Sequence, residues 1–418
     1  MQSWPTYSMK PDRQDRLCFP LSHEDKALLC LAHPRLRTER NQRLANLLAS
    51  PPDWPALLDQ ADRQGLTPLL HHHLKQAPAL TVPETTRTTL AERSRSCLAW
   101  NLRLRHELLR LLDRFNKAGI PVMPLKGLYL ADLLYEDSSL RPTSDLDLLV
   151  RVQDLETSQQ ILEEAGCTKL ADEEQGAEYH VSYVTTDGRA GHVLIELHLD
   201  LGENHVAGLE IESVWRSAAP ITWEDRTIWA MALPDLFLYT CLHAVKDGLA
   251  SIRSLLDITL LLERYGQNLP WQELAQRVKR ARIETPVSLS LLLSRELLGA
   301  SIPSEFLSAI RPSRDLSRLL GQALFRWRGG VLHVPQELLV GPFMALLMLC
   351  WEDSLKGKLR HLRRNLLPSE KLQGRWISQA HNSAPFRRYQ AWLWEICLRL
   401  TSQLTARSHS RQPGAPRH

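Results

Sequence analysis

The sequence predicts an α+β fold, predominantly helical, with a mixed β-sheet and its flanking helices set between N- and C-terminal helical regions. Three observations lead there. Apolar residues recur every third or fourth position up to Gly119 and again after Leu233, the period of amphipathic helices. Between these stretches four short segments alternate apolar and polar residues, the period of strands. The 418 residues are 44% hydrophobic, ample for a buried core. The expected organisation is 1–119, an N-terminal helical region; 120–232, a sheet-bearing core; 233–400, a C-terminal helical region; and 401–418, a tail without apolar anchors, expected to be disordered.

In chain order, ALLCLA, RLANLLAS, WPALLDQADRQG and TPLLHHHLKQ read as successive helices, with Pro51-Pro52-Asp53 as a turn between two of them. APALTVPE breaks the pattern before a long helix from Thr85 to Lys117, and Gly119 ends that helix as a C-cap glycine. The period then changes: IPVMPL, DLDLLV, HVSYVTT and HVLIELHLDL read as strands. GLYLADLLY and VQDLETSQQILEEAG read as helices crossing the sheet, the second ending at Gly166. From Leu233 the helical period returns in PDLFLYTCLHAVKDG, SLLDITLLLERYG, WQELAQRVKRARI and VSLSLLLSRELLG. No internal repeat of fixed period is present.

Composition narrows the class of protein. The 51 Lys and Arg exceed the 47 Asp and Glu by a net charge of only +4, which does not mark a dedicated nucleic-acid binder. The basic runs Arg277 to Arg282 and Lys356 to Asn365 have no interleaved aromatic residues for stacking bases and read as solvated helix faces. Seven scattered cysteines without a C-x-x-C pair fit a reducing cytoplasm. The opening MQSWPTYSMKPDRQDR places prolines and both charge signs where a secretory signal needs an apolar core, so a cytoplasmic location is expected. The apolar run from Leu338 to Trp351 falls short of the roughly 20 residues needed to span a bilayer and reads as a buried helix, with no membrane insertion expected.

The sharpest chemical signal is Ser144-Asp145-Leu146-Asp147-Leu148-Leu149-Val150. Strand residues two apart share a face, so Asp145 and Asp147 present neighbouring carboxylates while Leu146 and Leu148 pack behind. Their mutual repulsion is relieved by a bound divalent cation; an exposed edge with solvated aspartates is the other reading. The segment IELHLDL places Glu196, His198 and Asp200 on one face by the same alternation, with Glu196 first choice for a third carboxylate and Asp200 second. Three such carboxylates can hold two Mg²⁺ ions, or Mn²⁺ in their place, at a nucleotide's phosphates. Leu125-Lys126-Gly127 joins a strand to a helix, a geometry that lets Lys126 and backbone N–H groups hold phosphate. Arg141 either neutralises phosphate charge or has a structural role.

The stretch PVMPLKGLYLADLLYEDSSLRPTSDLDLLVRVQDLETSQQILEEAG resembles the core of the bacterial uncharacterised nucleotidyltransferase family, within the polymerase-beta-like nucleotidyltransferase superfamily. Its LKG turn, the Arg-Pro before D-x-D-L-L-V and the helix ending in glycine carry the resemblance. His180 and IELHLDL extend it, as do ADRQGLTPLLHHHL upstream and LPDLFLYTCLHAVKDGLASIRSLLDITLLL downstream, with His243 and Asp257. The resemblance implies a nucleotidyltransferase-type sheet as the catalytic core. It implies transfer of a nucleoside monophosphate from an NTP, ATP first among them, to an acceptor with release of pyrophosphate. Asp145, Asp147 and Glu196 then fall on the superfamily's catalytic metal ligands. The departure is at the turn, where the superfamily has Gly-Ser or Gly-Gly and this chain has Gly127-Leu128, with a longer spacer before Asp145. The acceptor, small molecule or macromolecule, is left open. The altered turn also keeps open a non-catalytic binding or assembly protein on the same fold.

Other features carry two readings each. Adjacent histidines on a helix project about 100° apart, so His71-His72-His73 reads as a partly exposed turn and not a chelate. His180 and His198 either contact substrate or fill the sheet face, and His243 and Asp257 read as a buried polar pair bracing helices or as part of an acceptor site. Trp54, Trp215, Trp271 and Trp394 read as packing residues.

Overall fold

The computed structural model describes residues 22–34, 44, 46–76, 82–170, 180–185, 191–201, 209–246 and 251–311. The Leu338–Trp351 run, the basic run from Lys356 to Asn365, Trp394 and the segment 401–418 lie outside the described residues.

Helices α1 (His23–Leu31), α2 (Trp54–Arg63), α3 (Thr67–Gln76) and α4 (Glu84–Lys117) come first. Their starts follow from local chemistry. Ser22 and Asp25 form a reciprocal capping box on α1, and the Asp53 side chain caps α2. Along α4, Leu104, Leu108, Leu111, Leu112 and Phe115 recur at helical spacing and are all buried in the main core. Burial of each such side chain contributes roughly 1.5–3 kcal/mol. Gly119 follows at φ +69°, a conformation that favours glycine, and the chain turns into the sheet.

The sheet comprises β1 (Met123–Pro124), β2 (Leu146–Leu149), β3 (Cys167–Lys169), β4 (His180–Thr185) and β5 (Leu194–His198), in the order β1-β2-β5-β4-β3. It is mixed: β2 and β5 are parallel, and the other pairs are antiparallel. Helix α5 (Leu128–Leu134) follows β1, and α6 (Leu155–Glu164) lies between β2 and β3. Register decides the two faces. Leu146, Leu148, Ile195, Leu197 and Tyr183 share the face that packs against α4 and α6. Asp147, Glu196, His198 and His180 share the opposite one.

Two elements depart from the sequence reading. Strand β3 is only three residues long, too short to register as an alternating run. Strands β6 (Ala219–Trp223) and β7 (Arg226–Ala230), which follow α7 (Ile211–Ser217), form a hairpin whose two turn residues, Glu224 and Asp225, both have positive φ. That backbone is usually signalled by Asn-Gly or Asp-Gly, and Glu-Asp hides it. The hairpin extends the β1 side, where the Trp229 N–H donates to the Val122 carbonyl at 2.8 Å.

Beyond the sheet run α8 (Leu233–Lys246), α9 (Ile252–Tyr265), α10 (Trp271–Ala281), α11 (Glu284–Leu298) and α12 (Ser304–Ala309). Helices α8, α9 and α11 pack on one another, and α9 also packs on α5. Trp271 meets Phe237 edge to face and Phe306 at a tilt, in line with the packing role expected of it. Trp215 faces the Arg151 guanidinium at 5.1 Å. Arg277, within the first basic run, is ion-paired to Asp235. Of the three adjacent histidines, His73 is buried, not part of an exposed turn, with Nε2 hydrogen-bonded to the His33 carbonyl at 2.8 Å. Among the described residues Cys30, Cys97, Cys167 and Cys241 form no disulfide, and no helix is long and apolar enough to cross a membrane.

Candidate active site

The site is assembled from the Lys126–Gly127 turn, the segment 141–147, and the polar face of β5 and β4. The Leu125 N–H donates to the Asp147 carbonyl at 3.1 Å, which fixes the turn beside β2. Gly127 stands at φ +65°, and a Cβ there would lie 3.0 Å from Thr143 Cγ2. Both facts require glycine. On the other side of β2, parallel pairing sets Asp147 opposite Glu196 and Leu149 opposite His198.

Two side chains, Lys126 and His198, contact Asp147 and link it to Asp145 and Glu196. Lys126 Nζ lies 3.2 Å from its Oδ2 and 3.9 Å from Asp145 Oδ2. His198 Nε2 lies 3.0 Å from Asp147 Oδ1 and 3.2 Å from Glu196 Oε2, bridging the two carboxylates. Burial would raise the Asp147 pKa, but the His198 hydrogen bond and the charges of Lys126 and His198 outweigh it and hold the carboxyl well below its usual range. Burial likewise disfavours a charged His198, yet its bonds to Asp147 and Glu196 raise it above an ordinary histidine. The His198 hydrogen bond lowers Glu196. Asp145 moves the other way: burial, then the neighbouring Asp147 charge, raises it. Burial lowers His180, whose ring centroid lies 5.3 Å from that of His198.

Arg141 faces inward to α9. Its Nε donates to Asp257 Oδ1 at 3.0 Å, its other amino group donates to Oδ2 at 2.8 Å, and a third N–H reaches the Gly127 carbonyl at 3.2 Å. Tyr135 donates to the same Asp257 carboxylate at 3.0 Å. Asp257 therefore braces Arg141 and Tyr135, where the sequence reading paired it with His243; His243 packs its ring against Tyr239 on α8. The structural reading of Arg141 has this buried pair behind it, and the pair ties the Gly127 turn to α9. Asp200, second choice for a third carboxylate, is buried and accepts from the Leu201 N–H at 2.6 Å, while the first choice, Glu196, sits in the cluster.

A cavity beside Lys126 and Asp145 is lined by Thr143, Ser144, Tyr239, His243 and Arg253 as well. Sequence reasoning missed Arg253, which donates to the Pro142 carbonyl at 2.8 Å. A signal existed: Arg253 and Asp257 are one helical turn apart, so both meet the 141–145 segment from α9. It also missed Asn101 of α4, whose side chain donates to the Arg141 carbonyl at 3.0 Å and accepts from the Thr143 N–H at 3.1 Å. Nothing in the sequence around Asn101 announces a partner 40 residues downstream.

The donor set fits a divalent cation. Among the described residues, Asp147, Glu196 and His198 each offer a ligand atom, all within 4.8 Å of one another, and Asp147 Oδ2 is buried without a hydrogen-bond partner other than the facing lysine charge. Asp145 borders this trio through Lys126.

The chain matches one family model and is similar to two solved structures. Residues 50–299 match the model of a family described as "Uncharacterised nucleotidyltransferase". Among solved structures, ANT(2")-Ia in complex with adenylyl-2"-tobramycin is similar at 12% identity and a TM-score of 0.32, over 42% of this chain and 95% of that one. An antigenic nucleotidyltransferase-like protein from Paracoccidioides brasiliensis is similar at 15% identity and a TM-score of 0.31, over 49% of this chain and 96% of that one. The search of curated proteins returns no match.

Proposed function

Because the chain belongs to the uncharacterised nucleotidyltransferase family, we propose that it transfers a nucleoside monophosphate from an NTP, ATP first, to a hydroxyl-bearing acceptor and releases pyrophosphate. One observation carries the reading. Asp147 and Glu196 stand directly opposite on parallel strands, with Lys126 Nζ 3.2 Å from Asp147 and a cavity alongside. A divalent cation at Asp145, Asp147 and Glu196 would neutralise these carboxylates and polarise the α-phosphate.

The residues of the chain divide the remaining work. Lys126 and Arg253, at the cavity, bind the β- and γ-phosphates and hold the nucleotide for in-line attack. Thr143 and Ser144 supply hydroxyl groups at the same place; Thr143 Oγ1 is buried with no hydrogen-bond partner among the described residues. Arg141, committed to Asp257 and to the Gly127 carbonyl, holds the phosphate turn in shape. Glu196 takes the acceptor's proton as the acceptor oxygen bonds to the α-phosphorus and the α–β anhydride bond breaks. His180 and the outer edge of Glu196 border the acceptor's approach.

The test is pyrophosphate release with each of the four NTPs, in Mg²⁺ and in Mn²⁺, over cell extract as acceptor source, for the wild type and for Asp145→Ala/Asp147→Ala. Release that the double variant loses by about 10²–10³-fold or more supports the reading. The size of the labelled product then separates small-molecule from macromolecular acceptors. No release and no metal-dependent NTP binding would leave the non-catalytic scaffold in its place.

A further inference from the structure

We infer that His198 is itself a metal ligand, so that Asp147, Glu196 and His198 form a mixed oxygen–nitrogen site that takes a divalent first-row transition ion in preference to Mg²⁺. This builds on the metal-dependent reading above and adds to it a nitrogen donor and a choice of ion.

Two ligands in neighbouring positions on an octahedral ion, each bonded at about 2.1 Å, lie about 3.0 Å apart. The pairs His198 Nε2 with Asp147 Oδ1, at 3.0 Å, and His198 Nε2 with Glu196 Oε2, at 3.2 Å, already have that spacing. A histidine that only filled the sheet face would need one acceptor. Here a single nitrogen addresses two carboxylates at once, and its N–H occupies the point between them that a shared ion would take. The backbone holds it there: Glu196 and His198 are two apart on β5 and so share a face, and the Val150 N–H donates to the His198 carbonyl at 3.0 Å. The site is also shielded from solvent, with side-chain exposures of 6% for His198 and 2% for Asp147. Lys126 faces the other oxygen of Asp147 and leaves Oδ1 to the trio.

The chemistry of the donors then selects the ion. Mg²⁺ favours oxygen ligands and gives up water reluctantly, whereas an imidazole nitrogen adds affinity for transition ions. Mn²⁺, the weakest binder of that series, is therefore a stringent probe.

The experiment uses the metal-free full chain with Mn²⁺ and α,β-methylene-ATP, which cannot be cleaved between the α- and β-phosphorus. Pulsed electron paramagnetic resonance of bound Mn²⁺ is expected to show coupling to a directly bonded nitrogen. Labelling histidine with ¹⁵N must change that coupling in the unmutated protein, so the result does not depend on a variant folding. His198→Gln should remove the coupling and lower the Mn²⁺ over Mg²⁺ preference on the order of tenfold. His180→Gln should keep it. Mn²⁺ that binds, is lost in Asp147→Asn, and shows no nitrogen coupling would overturn the inference and leave the metal-dependent reading standing. No Mn²⁺ bound to the wild type, with or without nucleotide, would overturn both.

Discussion

Replacing Asp257 by alanine leaves the Arg141 guanidinium buried and unpaired, since the two side chains are only 5% and 6% exposed and meet through N–H···O contacts of 2.8, 3.0 and 3.2 Å. Breaking a buried ion pair from one side costs about 3–5 kcal/mol, because the surviving charge keeps its desolvation penalty. Tyr135 loses the acceptor of its 3.0 Å hydrogen bond in the same step. That adds about 1 kcal/mol or more, though the two costs share a network and do not simply sum. A loss of about 4 kcal/mol is therefore expected for Asp257→Ala, a thousandfold in the folding equilibrium. Urea denaturation followed by tryptophan fluorescence and circular dichroism measures it. Arg141→Met/Asp257→Leu removes both charges and should lie within about 2 kcal/mol of wild type, well above the single variant. An Asp257→Ala protein within about 1 kcal/mol of wild type would refute the buried-pair reasoning and return Arg141 to the phosphate site.

Three other predictions follow the same logic. Gly127→Ala forces a side chain into φ +65° with Thr143 Cγ2 at 3.0 Å; it should cost about 1–2 kcal/mol in urea midpoints and raise the KM for NTP. Burial, against the hydrogen bond to the His33 carbonyl, pushes the His73 pKa from 6.5 down to about 4, so the unfolded chain binds more protons between those values. Stability is complete above about pH 6.5 and falls by about 3 kcal/mol as the pH drops to 4; His73→Gln should remove that part of the acid sensitivity in denaturation curves compared at pH 7 and 5. Arg253→Met should weaken binding of α,β-methylene-ATP about tenfold in calorimetry, through loss of a charged phosphate contact; unchanged affinity would take Arg253 out of the site.

Much of the sheet was legible because its strands obey a strict period. The segments around Met123, Leu146, Val181 and Ile195 all pair as strands, and the helices read at 127–135 and 152–166 are present as α5 and α6. The hairpin of β6 and β7 was not legible, since its turn uses Glu224 and Asp225 in a backbone that glycine normally marks. The three-residue β3 was missed for want of length. In the site, Asp145, Asp147, Glu196, His198 and Lys126 could be nominated from spacing, because i, i+2 alternation and a strand–turn–helix junction are local rules. Arg253 was marked only by its one-turn spacing from Asp257, and Asn101 by nothing, because what draws them to the site is the packing of α9 and α4.

The partition has a physical cause. Local periodicity and residue chemistry determined most of the strands and helices, which carboxylates share a face, and that Gly127 opens a helix. Long-range packing decided the rest. Only the parallel register of β2 and β5 puts Asp147 opposite Glu196 and brings His198, 51 positions further along the chain, within 3.0 Å of Asp147. Only the docking of α9 on α5 turns Arg141 to Asp257. Charges 116 residues apart cannot be matched by spacing along a chain, because their attraction is felt once the fold has removed the water between them.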